Sequence, residues 1–176
     1  MASAAEANIA REKGHSMIRK ERAVGQDPLI TRVLQNATIC RLGLAQDNTP
    51  YVVPVAYGYD GERIYFHTGL SGHKLNLIAA NNLVCFEMEL GVDLFADPSS
   101  PCHWSFSYET VIGTGLAHEL LDHSEKAAGL QHIVGHYAPG DWSFEPEQVR
   151  AVRVWRISIL QVSGKKSSLV ANQDNS

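Results

Sequence analysis

The fold is decided by residues 51–68, which read Tyr51-Val52-Val53-Pro54-Val55-Ala56-Tyr57-Gly58-Tyr59-Asp60-Gly61-Glu62-Arg63-Ile64-Tyr65-Phe66-His67-Thr68. Two runs rich in β-branched and aromatic residues flank the pair Asp60-Gly61. Because this pair is typical of two-residue hairpin turns, the stretch predicts strands over 51–59 and 63–68. Pro54 has no N–H for a ladder, which indicates an edge strand, a bulge or backbone turned towards a ligand.

The residues before this hairpin predict a helix and another strand. Apolar residues recur at helical spacing from Leu29 to Leu34, with Pro28 at the first helical position and Asp27 as the N-cap. Residues 38–44 then alternate between the two faces of a strand, and a polar turn over 46–50 follows. We expect the three strands to form a meander.

The residues after the hairpin predict a short helix over His73–Ala80 with Ser71 as its N-cap. A fourth strand is expected over Leu83–Leu90, followed by a long loop over Gly91–Phe106. A fifth strand follows over 107–121, bent at its glycines.

The last third of the chain predicts one more helix and a closing strand. The spacing Asp122-x-x-Glu125 is a capping box, and apolar residues follow it at i, i+3, i+4 and i+7. Residues 150–159 alternate strictly and predict the closing strand. Six or more strands in mostly hairpin order exclude a doubly wound parallel sheet and favour an α+β fold, a small antiparallel barrel with added helices.

Composition limits the class of protein. The 176 residues are 44% hydrophobic and 19% charged, which indicates one globular domain over 17–168, with a disordered extension over 1–16 and a flexible tail over 169–176. A net charge of −4 argues against a dedicated nucleic-acid binder, and no apolar run predicts a membrane span or a signal peptide, so we expect a cytoplasmic protein. Cys40 and Cys85 are expected in the core, and Cys102 is the one thiol placed to react.

The segment from Phe66 to Lys74 has the outline of an anion site. It runs from a strand end through a Gly/Ser turn into a helix start, where N–H groups, the hydroxyls of Thr68 and Ser71 and the Lys74 ammonium can meet a phosphate. A simply capped turn is the alternative. Neither a P-loop nor a Rossmann motif is present. His132 and His136 lie one helical turn apart without a third ligand, so we expect no metal site, and no hydrolase triad is recognisable.

Several motifs together resemble one family, the pyridoxamine 5′-phosphate oxidase-like FMN-binding split barrels, and within it the nitroimidazole-resistance (NimA-like) branch. The resemblance covers about residues 17–166 and is carried, in order, by Met17-Ile18-Arg19-Lys20-Glu21-Arg22, Cys40-Arg41-Leu42-Gly43, residues 50–60, Ile64-Tyr65-Phe66-His67-Thr68, Gly72-His73-Lys74, Val84-Cys85-Phe86-Glu87 and residues 108–115.

The resemblance implies a homodimeric split barrel with FMN at the subunit interface. It implies that the backbone of Val53, Pro54, Val55 and Ala56 faces the flavin ring, and that Thr110 meets the flavin from the partner subunit. The implied phosphate ligands are Thr68, Ser71, Gly72, His73 and Lys74. His73 stands where the wider family usually has Arg, and the substrate-binding pattern of the true oxidases is not recognisable after Trp155.

The resemblance further implies a role for His67 beside the flavin, where a near-neutral pKa suits proton delivery. A histidine that only hydrogen-bonds the cofactor is the alternative. The implied function is electron transfer from a reduced nicotinamide through FMN to a small acceptor such as a nitroaromatic or quinone. The alternatives are a non-catalytic FMN- or haem-binding barrel and a deazaflavin-dependent reductase.

Overall fold

A computed structural model describes residues 27–167 of the chain. The expectations for residues 1–16 and 169–176, and the motif Met17–Arg22, lie outside the described residues. Within them the elements in chain order are α1 (Pro28–Asn36), β1 (Cys40–Gln46), β2 (Thr49–Val55), β3 (Tyr57–Tyr59), β4 (Arg63–Thr68), α2 (His73–Ala80), β5 (Leu83–Phe95), a 3-10 turn (Pro101–His103), β6 (Ser105–Leu120), α3 (His123–Tyr137), α4 (Pro146–Arg150) and β7 (Arg153–Ser167).

Two of the predicted helices begin at the predicted caps. The Asp27 carboxylate accepts the Leu29 N–H at 3.0 Å at the start of α1, and Asp122 accepts the N–H groups of Ser124 and Glu125 at the start of α3. These bonds satisfy donors that a helix start leaves without intrahelical partners. The short helix α4 was not predicted, because its five residues fall in a segment rich in Pro, Gly and Trp.

The seven strands form one antiparallel sheet in the order β2-β1-β5-β6-β7-β4-β3. The expected strand over 51–59 is therefore wrong as a single element, since it breaks at Ala56 into β2, paired with β1, and β3, paired with β4. The expected three-strand meander is wrong for the same reason. Because β2 and β3 occupy opposite edges of the sheet, Ala56 carries the chain from one edge to the other, and the sheet curls so that these edges meet. The α+β split-barrel expectation is confirmed.

The hairpin prediction between β3 and β4 is confirmed, with the turn one residue later than expected. Gly61 and Glu62 are its central residues, since the Asp60 N–H donates to the Arg63 carbonyl. The Asp60 carboxylate accepts the N–H groups of Glu62 at 2.8 Å and Arg63 at 2.7 Å. Pro54 lies on the edge strand β2, as one of its predicted explanations required.

The expectation of a long loop over Gly91–Phe106 is wrong at both ends, where β5 runs to Phe95 and β6 begins at Ser105, while residues 96–104 form the connection. Residues of β5 and β6 continue to pair as far as Phe95 and Ser105, beyond an irregularity between Leu90 and Asp93. Gly91 sits at this irregularity with φ +63°, a conformation that favours glycine. We call residues 91–106 the β5–β6 arm. Its exposed large apolar residues are Val92, Leu94, Phe95, Trp104 and Phe106.

The core lies inside the curled sheet, and α1 closes one side of it. Its largest fully buried side chains include Tyr57, Phe66, Phe86, Ile30, Leu34, Leu42, Ile64, Met88 and Ile157. Gly113 and Gly115 are needed for this packing, because a Cβ on them would lie 2.3 Å from Phe86 and 2.5 Å from Ile157. The bend predicted at these glycines is confirmed by a register irregularity between Thr114 and Gly115.

A second, smaller apolar cluster lies outside the sheet, under α3 and α4. It consists of Tyr65, Leu120, Leu130, Ile133, Val149 and Val154.

The two cysteines predicted to lie in the core differ in the structure: Cys40 is buried as expected, but the prediction for Cys85 is wrong, since it is exposed. The alternation of β5 explains this, since Val84 and Phe86 point inward and Cys85 between them points outward. Across residues 27–167, no helix has the length and apolar character that crossing a membrane requires.

Candidate functional site

The candidate site is the junction between β4 and α2. Gly72 is the N-cap of α2 and has φ +144°, which L side chains rarely adopt. The expectation that Ser71 caps this helix is wrong, since no side chain makes a capping hydrogen bond there. Because Gly72 takes the cap position, Ser71 lies one residue outside the helix.

The start of α2 is electropositive and open. Aspartate side chains accept first-turn N–H groups in α1 and α3, whereas α2 has no such acceptor. Lys74 lies in the first turn, and among residues 27–167 no carboxylate forms an ion pair with it. A Cβ on Gly72 would have no neighbouring atom within 4 Å. Free N–H groups, the positive end of a helix dipole and an ammonium are the donor set that suits a phosphate.

His67 belongs to this junction. Loss of water around part of its ring, and secondly the charge of Lys74, lower the pKa of His67 below its ordinary value of 6.5. The β3–β4 register ends at the pair Tyr57 and Phe66, so His67 and Ala56 are each one residue from the last pair of that ladder. The structure thus brings Lys74 close enough to His67 for its charge to act on the ring.

Thr68 is buried at the end of β4, and its hydroxyl is already engaged. The hydroxyl donates to the Gly69 carbonyl at 2.9 Å and accepts the Trp155 Nε1–H at 3.3 Å. A hydroxyl has a single proton to donate. In this arrangement Thr68 directs that proton to the first residue of the loop between β4 and α2, and its contact with a phosphate stays a prediction.

The sequence analysis missed three residues linked to Thr68: Trp155 and Arg153 directly, and Glu119 through Arg153. Arg153 lies opposite Thr68 in the β4–β7 register, and its Nε donates to Glu119 Oε1 at 2.7 Å. Its guanidinium carbon also lies 5.1 Å from the centre of the Trp155 ring. The alternation of β7 could have placed Arg153 and Trp155 on a common face, but nothing local indicates that this face meets β4.

A fourth missed residue, Tyr51, connects the site to the sheet edge. Its ring contacts His73 edge-on with ring centres 5.1 Å apart, which places the start of α2 beside β2. Of the residues predicted to face a flavin ring, Pro54 and Ala56 are exposed, Val53 is half-buried and Val55 is buried. The backbone of β2 and the start of α2 therefore border the same region.

The Thr110 hydroxyl is hydrogen-bonded to groups of β5 in this chain. It lies 3.0 Å from Glu87 Oε1 and 2.9 Å from the Met88 carbonyl. Glu87 is also paired with Arg41 at 3.0 Å. The predicted contact of Thr110 with a cofactor comes from a partner subunit and stays a prediction.

The two histidines of α3 pack this helix against the barrel. The His132 ring stacks on Tyr65 with centres 4.9 Å apart, and His136 Nε2 lies 2.7 Å from the Ala37 carbonyl oxygen. Among residues 27–167, no three His, Cys, Asp or Glu side chains group together in a way that could hold a metal ion.

Comparison with known proteins gives a family and several structural relatives. The family model described as pyridoxamine 5′-phosphate oxidase matches residues 27–166. No curated protein matches the chain. A candidate 5-nitroimidazole antibiotic resistance protein from Bacteroides thetaiotaomicron has 29% identity and a TM-score of 0.70, over 82% of this chain and 86% of that one.

Two further solved structures extend the comparison. A FAD-binding protein from Mesorhizobium loti is 26% identical with a TM-score of 0.59, over 78% of this chain and 92% of its own. The flavocytochrome Anf3 of Azotobacter vinelandii, at 22% identity and a TM-score of 0.69 over 80% of this chain and 66% of its own, shares the fold. The resemblance to split barrels and to their nitroimidazole-resistance branch is confirmed by the family match and by the Bacteroides structure. Since the match spans nearly the whole described chain, from α1 to β7, this protein belongs to the pyridoxamine 5′-phosphate oxidase family.

Proposed function

We propose that the chain binds FMN, with the phosphate at the start of α2, and works as an oxidoreductase. It would pass electrons from a reduced nicotinamide to a small acceptor such as a nitroaromatic or a quinone. The observation that carries the proposal is the uncapped start of α2 beside Lys74. The similarity to a FAD-binding protein and to a candidate nitroimidazole resistance protein supports it.

The residues at the junction fit the chemistry of a flavin monophosphate. The N–H groups at the start of α2 and the Lys74 ammonium would hold the phosphate, with Ser71 and His73 at the rim of the same opening. The backbone from Val53 to Ala56 would lie along the ring. A bound flavin supplies reversible acceptance of two electrons.

His67 is the residue that would hold and move a proton. In the described chain the Lys74 charge opposes protonation of the ring. A phosphate beside Lys74 would offset this charge and raise the pKa of His67. His67 would therefore carry a proton more readily when the anion site is filled, which suits a proton donor for a newly reduced acceptor.

The proposal includes a homodimer with the cofactor at the interface. Ile112 is 49% exposed on the outward face of β6, and the β5–β6 arm adds further exposed apolar side chains. Apolar surface of this kind on a β-sheet is typical of protein contacts. In such a dimer Thr110 of one subunit would approach the flavin held by its partner.

The first experiment is an absorption spectrum of the purified protein, followed by anaerobic addition of NADH or NADPH. A flavin gives a band at about 450 nm and haem a Soret band at about 400 nm. Mass spectrometry of the released cofactor distinguishes FMN from FAD. We expect FMN and rapid bleaching of the flavin band.

The other outcomes separate the alternatives. A flavin band that stays oxidised with both nicotinamides would contradict the reductase and favour a binding protein. A Soret band without a flavin band would replace the FMN assignment by haem. Re-oxidation of the bleached protein by a nitroaromatic and by a quinone, in parallel with air-free buffer, then identifies the class of acceptor.

A further inference from the structure

The hydrogen bond between Trp155 and Thr68 joins the core to the candidate phosphate site. Both side chains are buried, with 5% and 3% of their surfaces exposed. Trp155 has only a donor, its Nε1–H, and the atom it reaches is the Thr68 hydroxyl at 3.3 Å. Since the partner is the last residue of β4, the indole acts on the point where the strand becomes the loop to α2.

The indole itself has two neighbours, Phe66 and Arg153. Its ring stacks on Phe66, with ring centres 6.1 Å apart and planes 10° apart. The Arg153 guanidinium, which is fixed by its hydrogen bonds to Glu119, also lies over the indole ring. Trp155 is therefore a buried donor whose ring is packed against two neighbours, and its N–H points to the Thr68 hydroxyl.

The bond to Trp155 determines what Thr68 does with its own proton. With one lone pair filled by the indole N–H, the hydroxyl directs its proton to the Gly69 carbonyl at 2.9 Å. This second bond fixes the first peptide group of the loop over residues 69–72. That loop sets where Gly72 and the N–H groups of α2 lie, because it is short and leads directly into the helix.

We propose that Trp155 is a positioning residue for the phosphate of the cofactor, acting through Thr68 and Gly69 on the start of α2. This proposal rests on the proposed function, and it assigns the effect of Trp155 to the phosphate and not to the flavin ring. Trp155 therefore contributes to discrimination between FMN and riboflavin, which has the same ring without the phosphate.

The test measures dissociation constants for FMN and riboflavin by quenching of flavin fluorescence in the wild type and four variants. Trp155→Phe keeps an aromatic ring against Phe66 and removes the N–H. We expect FMN affinity to fall about two- to tenfold, the range for one hydrogen bond, while riboflavin affinity is unchanged. Thr68→Val should give the same selective loss, and Thr68→Ser, which keeps the hydroxyl, should retain the wild-type ratio.

The double variant Trp155→Phe with Thr68→Val tests whether the two residues act as one unit. We expect it to bind FMN no more weakly than Thr68→Val alone. Additive losses, or an equal loss for both flavins, would overturn the proposal and leave Trp155 a structural residue. If Trp155→Phe fails to fold, an equal FMN-to-riboflavin ratio in Thr68→Val and Thr68→Ser still overturns the proposal, because the Thr68 hydroxyl would then have no effect on the phosphate. A wild type that binds neither flavin would instead refute the proposed function itself.

Discussion

The positive charge of Lys74 lowers the pKa of the His67 imidazole across the loop that joins β4 to α2. Partial removal of water from the ring is the larger cause and acts in the same direction. The ring is therefore mostly unprotonated at neutral pH in the described chain, and it is sensitive to any anion that binds beside Lys74.

Replacing Lys74 by the uncharged, similarly long methionine is expected to raise the pKa of His67 towards 6.5. The rise should be incomplete, since loss of water around the ring persists. The measurement is an NMR titration of the histidine ring protons. Lys166→Met is the matched control, because Lys166 pairs with Glu109 at the far end of β7. A pKa unchanged in Lys74→Met would mean that the two side chains do not interact.

The lowered pKa of His67 also predicts that the free energy of unfolding depends on pH. The pKa of His67 is lower in the folded chain than in the unfolded chain, so the unfolded chain binds a proton more readily. The stabilising contribution of neutral His67 is present above pH 6.5 and is lost as the pH falls towards the folded pKa. In urea unfolding from about pH 5 to about pH 7.5, a range around the ordinary histidine pKa, His67→Gln should lose this part of the pH dependence of the free energy of unfolding. An identical slope in both proteins would contradict the shift.

Lys74→Ala is expected to weaken FMN binding by removing a charge-assisted phosphate contact. The loss of about 1.5–3 kcal/mol corresponds to roughly ten- to a hundredfold in the dissociation constant. Lys74→Arg should recover much of the affinity, and Lys166→Ala should bind like the wild type. Unchanged FMN affinity in Lys74→Ala would show that the phosphate lies elsewhere.

Alanine substitutions at two glycines, Gly58 in β3 and Gly135 in α3, are expected to change the stability of the protein in opposite directions. A Cβ on Gly58 would lie 2.3 Å from the backbone of His132, so Gly58→Ala should destabilise the protein by about 3 kcal/mol. A Cβ on Gly135 meets nothing within 4 Å, and Gly135→Ala should stabilise α3 by about 0.5–1 kcal/mol. Thermal or urea unfolding measures both, and equal effects would contradict the close packing of α3 on β3.

The oligomeric state is expected to depend on the outward face of β6. Ile112→Glu should convert a dimer to a monomer in light scattering after gel filtration, because a charge in an apolar interface must be desolvated. Leu121→Glu is the matched control, since Leu121 is 81% exposed and lies between β6 and α3, away from the outward face of the strand. A wild type that is monomeric with FMN bound would refute the dimer, and equal behaviour of both variants would place the interface elsewhere.

The parts of the fold that were predictable depend on local chemistry. Asp27 and Asp122 cap their helices because a carboxylate can reach N–H groups two or three residues later, whatever the rest of the chain does. The turn at Asp60 is local in the same way. The break at Ala56 was not predictable, because the alternation of residues 51–59 continues through it, and only long-range pairing assigns its two halves to different edges.

The residues of the candidate site also divide into those predictable from local sequence and those that depend on long-range strand pairing. Gly72 and Lys74 follow from their neighbours in sequence. Trp155 and Arg153 reach Thr68 only through the register of β4 with β7, a pairing across most of the domain that no local pattern encodes. The strand character of the β5–β6 arm was hidden for a related reason, since Gly91 interrupts the alternation that continues on both sides of it.

The chain crossing at Ala56 also determines how the two edges of the sheet are connected. The two edges of the sheet are joined there by peptide bonds and not by a ladder of hydrogen bonds, since β2 and β3 are the end strands of the sheet order. Within residues 27–167, none of the six strand pairings joins β2 to β3, so the covalent chain at Ala56 is the connection across the seam of the barrel. A change in the angle between the two edges at Ala56 would leave these pairings in place, so the barrel can adjust its width there without losing strand hydrogen bonds.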